Sequence, residues 1–175
     1  RASVNSLLEH LTLGSILALA HALRGMGKIA VPLSHDGVPD IYRWMPGQEW
    51  VERETEARDF DLAVVCDTGT VDRIGRARAT VEATPRTLTI DHHAAEGEFG
   101  DIRMIDARAS ATGELVFALL KQMGAPISAA VAQCLMCAIV TDTGSFRYMN
   151  VTPTTFAIAG ELMTLGACPA KIAEL

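Results

Sequence analysis

Residues 61–67 read "DLAVVCD", an apolar run closed by an acid. Every position from Leu62 to Cys66 is apolar, so no face of the segment is reserved for water. A strand covered on both faces of a parallel sheet reads this way. "RTLTID" (86–91) is a second β-rich run and again ends in an aspartate. Between them, "TVDRIGRARAT" (70–80) predicts a crossover helix with exposed arginines. Strand, helix and strand in this order predict an α/β fold, an open, mostly parallel sheet with helices on both faces.

The chain on either side fits that class. "LGSILALAHALRGMG" (13–27) has helical spacing and stops at glycines, and "KIAVPLS" (28–34) predicts another short strand. The stretch 35–60, with Pro39, Pro46 and Gly47, is irregular, and "WVERETEARD" is at most a short polar helix. After the short "DIRMID" segment, "ATGELVFALLKQMG" (111–124) predicts a helix that ends before Pro126. "SAAVAQCLMCAIVTDTG" (128–144) is a helix apolar on nearly every side, hence central. "TPTTFAIAGELMTLGA" (152–167) is amphipathic, and a last segment begins at Pro169.

At 175 residues, 49% apolar and 21% charged, the chain has the composition of one globular domain. The excess of 21 acids over 15 bases excludes a general basic surface for duplex nucleic acid. The longest apolar run, Cys134–Val140, is far too short for a membrane span. With no secretory pattern at its start, the chain is expected to be cytoplasmic, without a membrane partner. Cys134 and Cys137 form a C-x-x-C inside the apolar helix, where neither a redox turn nor a second pair of zinc ligands accompanies them. They and Cys66 and Cys168 read as small side chains in a reducing compartment.

The acids at the strand ends carry the chemistry. In an open parallel sheet the carboxyl ends of the strands form the ligand crevice, so Asp67 and Asp91 face one pocket, or else each caps the element that follows. Asp91 is followed by His92 and His93. Beyond the strand end both imidazoles can reach the crevice, one as a ligand for Mn²⁺, Fe²⁺, Co²⁺ or Zn²⁺, the other for a phosphate oxygen. Asp91 can fix a histidine tautomer. Asp142 ends the apolar helix, where a negative charge opposes the macrodipole unless a cation offsets it. Thr141, Thr143 and Ser145 add hydroxyls, and Arg147 is a candidate phosphate clamp. Asp67, His92 and Asp142 thus make an O/N/O metal set. Two ions would need more ligands than these three. His10 and His21 read as surface or packing residues, His35-Asp36-Gly37 as a turn or else part of the pocket lining, and Ser110 and Thr112 as caps before Gly113 and Glu114 or else as phosphate contacts.

Taken together, "VVCDTG", "IDHH", "ARASATGELVFALL" and "VTDTGSFRY" resemble the DHH phosphoesterase superfamily over nearly the whole chain, most closely its bacterial oligoribonuclease/pAp-phosphatase (nano-RNase) branch. The resemblance implies a DHH catalytic domain over residues 1–175 that holds two Mn²⁺ ions, with Mg²⁺ or Co²⁺ as substitutes. It implies Asp67 as a bridging ligand, His92 and Asp142 as ligands of one ion, and His93 at the scissile phosphate, with Asp91 and His93 catalytic and Arg147 binding substrate. The implied activity is two-metal hydrolysis of short single-stranded RNA or DNA, or of 3′-phosphorylated nucleotides such as pAp. Cyclic-dinucleotide phosphodiesterase, polyphosphatase and single-strand exonuclease activities share the superfamily, a non-catalytic nucleotide- or metal-binding module stays open, and a homodimer is one assembly available.

The sequence departs from the superfamily twice. A first strand and a His-x-x-x-Asp-x-Asp motif, which supply further ligands, do not precede Thr12-Leu13-Gly14-Ser15; "SLLEHL" does, with Glu9 and His10 as its nearest polar groups. The domain is therefore expected to be incomplete at the Leu11/Thr12 junction. The C-terminal DHHA1 domain is also not in the sequence, Leu175 standing near where its linker would begin.

Overall fold

In the computed structural model, which describes residues 4–57, 59–68, 70–94 and 99–173, the two apolar runs become β1 (Ala63–Cys66) and β2 (Thr87–Asp91). "DIRMID" supplies β3 (Ile102–Ile105). The sheet is open, parallel and ordered β1-β2-β3, with Cys66 opposite Ile90 and Asp91 opposite Ile105. This register brings the ends of β1 and β2 to one rim. Helices surround the sheet: α1 (Val4–Gly25), α2 (Arg78–Ala83), α3 (Thr112–Gln122), α4 (Ala129–Asp142), α5 (Pro153–Thr164) and the short α6 (Ala170–Ala173). None of the described helices is long and apolar enough to cross a membrane.

The core is built on α4. Its residues Val131–Val140 are all buried, as the absence of a polar face requires. Ser128 caps it by accepting from the Val131 amide at 3.3 Å. A Cβ on Gly14 would stand 2.6 Å from the Cys134 carbonyl, and one on Gly113 would stand 2.9 Å from the Ala138 Cβ. The two glycines let α1 and α3 close onto α4. Cys134 and Cys137 are buried and unbridged in this core. His21 packs on Trp50, ring centroids 4.4 Å apart. The side chains of Glu9 and His10 lie outside the described residues.

Three expectations are corrected. Residues 28–34 do not form a strand; among the described residues they make a single bridge, Leu33 to Glu52. Pro32 has no amide to donate, and Ile29 is exposed instead of covered. Residues 71–77 form a 3-10 helix, not an α-helix, because Gly75 (φ 51, ψ −125) breaks the spiral before α2. Among its described residues "WVERETEARD" has no helix beyond Trp50, where a 3-10 turn, Gln48–Trp50, ends. Elsewhere, α1 passes through Leu11–Thr12 as one helix.

Among the described residues β1 is an edge strand. Beside it lies an open cleft of about 580 Å³, lined by Leu13, Ile16 and Leu23 of α1, by Ala30–His35, by Leu62–Thr68 and by Arg73. Asp67 therefore stands at the head of this cleft.

Candidate metal centre

The rim is built by backbone geometry first. Asp67 continues the β1 ladder through its amide to the Ile90 carbonyl (2.8 Å) and then turns with φ 63. Aspartate tolerates this left-handed conformation better than most residues. The turn buries its carboxylate, whose side chain is 3% exposed. One strand over, the Asp91 Oδ1 accepts from the main-chain amide of His93 (3.0 Å) and from its Nδ1 (2.7 Å). Such an Asx turn fixes the loop and one imidazole together.

His92 is held differently. Its Nδ1 faces the Ala109 carbonyl at 3.3 Å, so the ring donates there and keeps the lone pair on Nε2. That Nε2 lies 3.5 Å from Asp67 Oδ1 and 3.9 Å from Asp142 Oδ2. Asp67, His92 and His93 present ligand atoms within 4.8 Å of one another, a grouping that can hold a metal ion. The structure thus brings together Asp67, Asp91, His92, His93 and Asp142. Arg147 is exposed, and its Nε donates to the Gly144 carbonyl at 2.7 Å, within the turn that follows Asp142.

Sequence reasoning missed several supports. Thr112 is not a cap; the N-cap of α3 is Ala111. The Thr112 hydroxyl donates to Asp67 Oδ1 at 2.8 Å, and its main-chain amide supports Asp142, so the positive end of α3 faces both acids. Ser110 is tied to a segment 40 residues further along the chain, donating to the Asn150 carbonyl at 2.7 Å. The Asn150 amide returns to the carbonyls of Ser110 (2.9 Å) and Asp142 (3.3 Å), locking the Ala109 loop to the end of α4. Of these supports only the small hydroxyl residues before α3 left a sequence signal, and it pointed to capping.

The electrostatics are those of crowded acids. Burial, and then the neighbouring Asp67, push the Asp142 carboxyl up to about 9. Burial likewise raises Asp67, against the opposing Thr112 hydrogen bond and the two imidazoles. Burial alone would raise Asp91, but the hydrogen bonds from His93 together outweigh it and hold Asp91 low, while Asp91 raises His93. Asp142 Oδ1 is buried without a hydrogen-bond partner, as is Glu114 Oε1. A buried carboxylate with one oxygen left without a donor, and with the free nitrogen of His92 3.9 Å from its other oxygen, fits a divalent cation.

Residues 12–139 match the DHH family, N-terminal domain. The match begins at Thr12, takes in Asp67 and Asp91–His93, and ends shortly before Asp142. The chain is 30% identical over 164 residues to the bifunctional oligoribonuclease and PAP phosphatase NrnA of Thermus thermophilus, across 93% of this chain and 48% of that protein. It is 34% identical over 115 residues to NrnA of Bacillus subtilis, across 64% of this chain and 36% of that one. The chain therefore spans half or less of these relatives. Its fold superposes on an exopolyphosphatase-related protein from Bacteroides fragilis with a TM-score of 0.85 and 29% identity, over 93% of this chain and 52% of that one.

Proposed function

The chain belongs to the DHH family, and from that premise we propose that it is a divalent-metal-dependent phosphoesterase acting on short single-stranded oligonucleotides or on 3′-phosphorylated nucleotides such as pAp. The names of the Thermus and Bacillus relatives support this substrate class. The observation that carries the reading is the convergence of the buried carboxylates of Asp67 and Asp142 with half-buried His92, an Asp142 oxygen being left without a donor.

In this reading Asp67, His92 and Asp142 would hold divalent ions, Mn²⁺ by preference with Mg²⁺ or Co²⁺ as substitutes. Such ions, when bound, lower the pKa of water and neutralise charge building on phosphoryl oxygens. Thr112 holds Asp67, and the Ala109 carbonyl holds the His92 ring, so the ligand atoms need not reorganise when a cation arrives. His93 takes the scissile phosphate. Its Nδ1 is engaged by Asp91, which leaves Nε2 as the free nitrogen of a ring that is 43% exposed. Asp91 favours the charged ring, which can donate to a phosphate oxygen and supply a proton to the leaving oxygen. Arg147 keeps its terminal guanidinium nitrogens for the same phosphate.

A second ion would need further ligands beyond Asp67, His92 and Asp142.

The test is release of mononucleotide from a short oligoribonucleotide, and of phosphate from pAp, with Mn²⁺ present. The assay uses the full-length protein. Turnover that Asp142→Ala abolishes supports the reading; no turnover by the intact protein refutes it. Polyphosphate belongs in the same assay, because the Bacteroides neighbour is exopolyphosphatase-related. Cleavage of polyphosphate alone would reassign the substrate while keeping the site.

A further inference from the structure

The 3-10 segment Val71–Ala77 carries Arg73 into the cleft that Asp67 heads and Arg76 beside His35, and α2 follows with Arg78. Arg78 is spent on local partners: its Nε meets Glu82 at 2.7 Å and its Nη1 meets Asp72 at 3.5 Å. Asp72, the acid beside Arg73 in the chain, is thereby engaged elsewhere. Among the described residues no carboxylate stands within ion-pairing distance of Arg73. Its side chain lines the cleft that Asp67 and Thr68 also line, and its charge acts on His93.

The segment is pinned. Gly75 adopts φ 51 and lies so close to His35 that a Cβ there would be 2.6 Å from the ring. His35 Nδ1 accepts from the Arg76 amide at 3.2 Å. The turn "SHDG" thus acts as a clamp that holds the arginine segment against the strand-end rim.

We propose that Arg73 is a substrate-binding residue that takes a second, non-scissile phosphate, selecting bisphosphorylated nucleotides and oligonucleotides over substrates with a single phosphate. The inference rests on the phosphoesterase reading above. A cation placed merely to neutralise the centre would pair with one of its acids, and Arg73 does not. The scissile phosphate is already met by the Asp/His cluster, whereas Arg73 reaches the crevice from a separate element. A planar guanidinium with no ion-pair partner among the described residues suits a phosphate.

The experiment is equilibrium binding to the Mn²⁺-loaded full-length protein of the hydrolysis-resistant phosphorothioates of adenosine 3′,5′-bisphosphate and adenosine 3′-phosphate. Wild type, Arg73→Gln, Arg73→Lys and Arg76→Gln are compared. Wild type should prefer the bisphosphate about tenfold, the change expected from one charge-assisted hydrogen bond. Arg73→Gln should erase the preference without weakening the monophosphate, Arg73→Lys should keep part of it, and Arg76→Gln should keep it whole. A preference that survives Arg73→Gln, or that falls equally in Arg76→Gln, overturns the assignment of Arg73 and leaves the phosphoesterase reading standing. Failure of wild type to bind either analogue overturns that reading, and this inference with it.

Discussion

Replacing Asp142 with asparagine should stabilise the metal-free protein, the opposite sign from most substitutions in a buried site. The Asp142 side chain is 3% exposed, its Oδ1 has no donor, and its carboxyl is pushed up to about 9 by burial and by Asp67. A carboxyl whose folded value exceeds its unfolded one contributes fully below the unfolded value near 4. That contribution is then lost as pH rises toward the folded value, by at most about 1.4 kcal/mol per unit. At pH 7 the loss is on the order of 2 to 4 kcal/mol, and at pH 5 about 1 kcal/mol. His93, raised by Asp91, loses its contribution in the same direction as pH climbs. Asparagine keeps the shape and removes the ionisation. Urea unfolding in EDTA should therefore show Asp142→Asn more stable than wild type, by a margin that widens from pH 5 to pH 8. Adding Mn²⁺ at about a hundred times its dissociation constant should restore wild type by about 2.7 kcal/mol and leave the variant unmoved. An Asp142→Asn protein that is less stable than wild type in EDTA, or a margin indifferent to pH, would refute the argument.

Other outcomes follow from single contacts. Thr112→Val removes the hydroxyl that donates to Asp67 and should weaken Mn²⁺ affinity about 10- to 100-fold, read by calorimetry, while leaving the fold intact by circular dichroism. Gly14→Ala places a methyl 2.6 Å from the Cys134 carbonyl and should cost about 1 to 3 kcal/mol in denaturant unfolding, with no change in ligand geometry. Metal uptake at pH 7 should release protons, because Asp142 holds one in the metal-free fold; a calorimetric enthalpy that varies with the ionisation enthalpy of the buffer would show it.

The sheet was legible because its strands announce themselves. Val65 and Cys66 of "AVVC" and every residue of "TLTID" but Leu88 are buried, and a strand with no polar face has few other places to go. The acids that close them were legible for the same reason, since a charge at the end of an apolar run sits at a rim. Asp142 could be read from its conflict with the α4 macrodipole. What stayed hidden depends on distance. Thr112 lies 45 residues from Asp67, and a threonine at the start of a helix looks the same whether it caps that helix or holds a remote carboxylate. Residues 28–34 have strand composition, but a strand needs a partner as well as a propensity, and Pro32 removes one donor. Gly75 was visible in "DRIGRAR", although nothing local said that it breaks the spiral to meet His35. Arg73 was one exposed arginine among several until Asp72 was seen to pair with Arg78.

The central claim is that Asp67, His92 and Asp142 form one cation site, and calorimetric titration of Mn²⁺ into wild type, Asp67→Asn and His92→Gln tests it most directly. The account predicts saturable binding by wild type and a loss of at least tenfold in affinity in each variant, with folding retained. Equal affinity in all three proteins would contradict it.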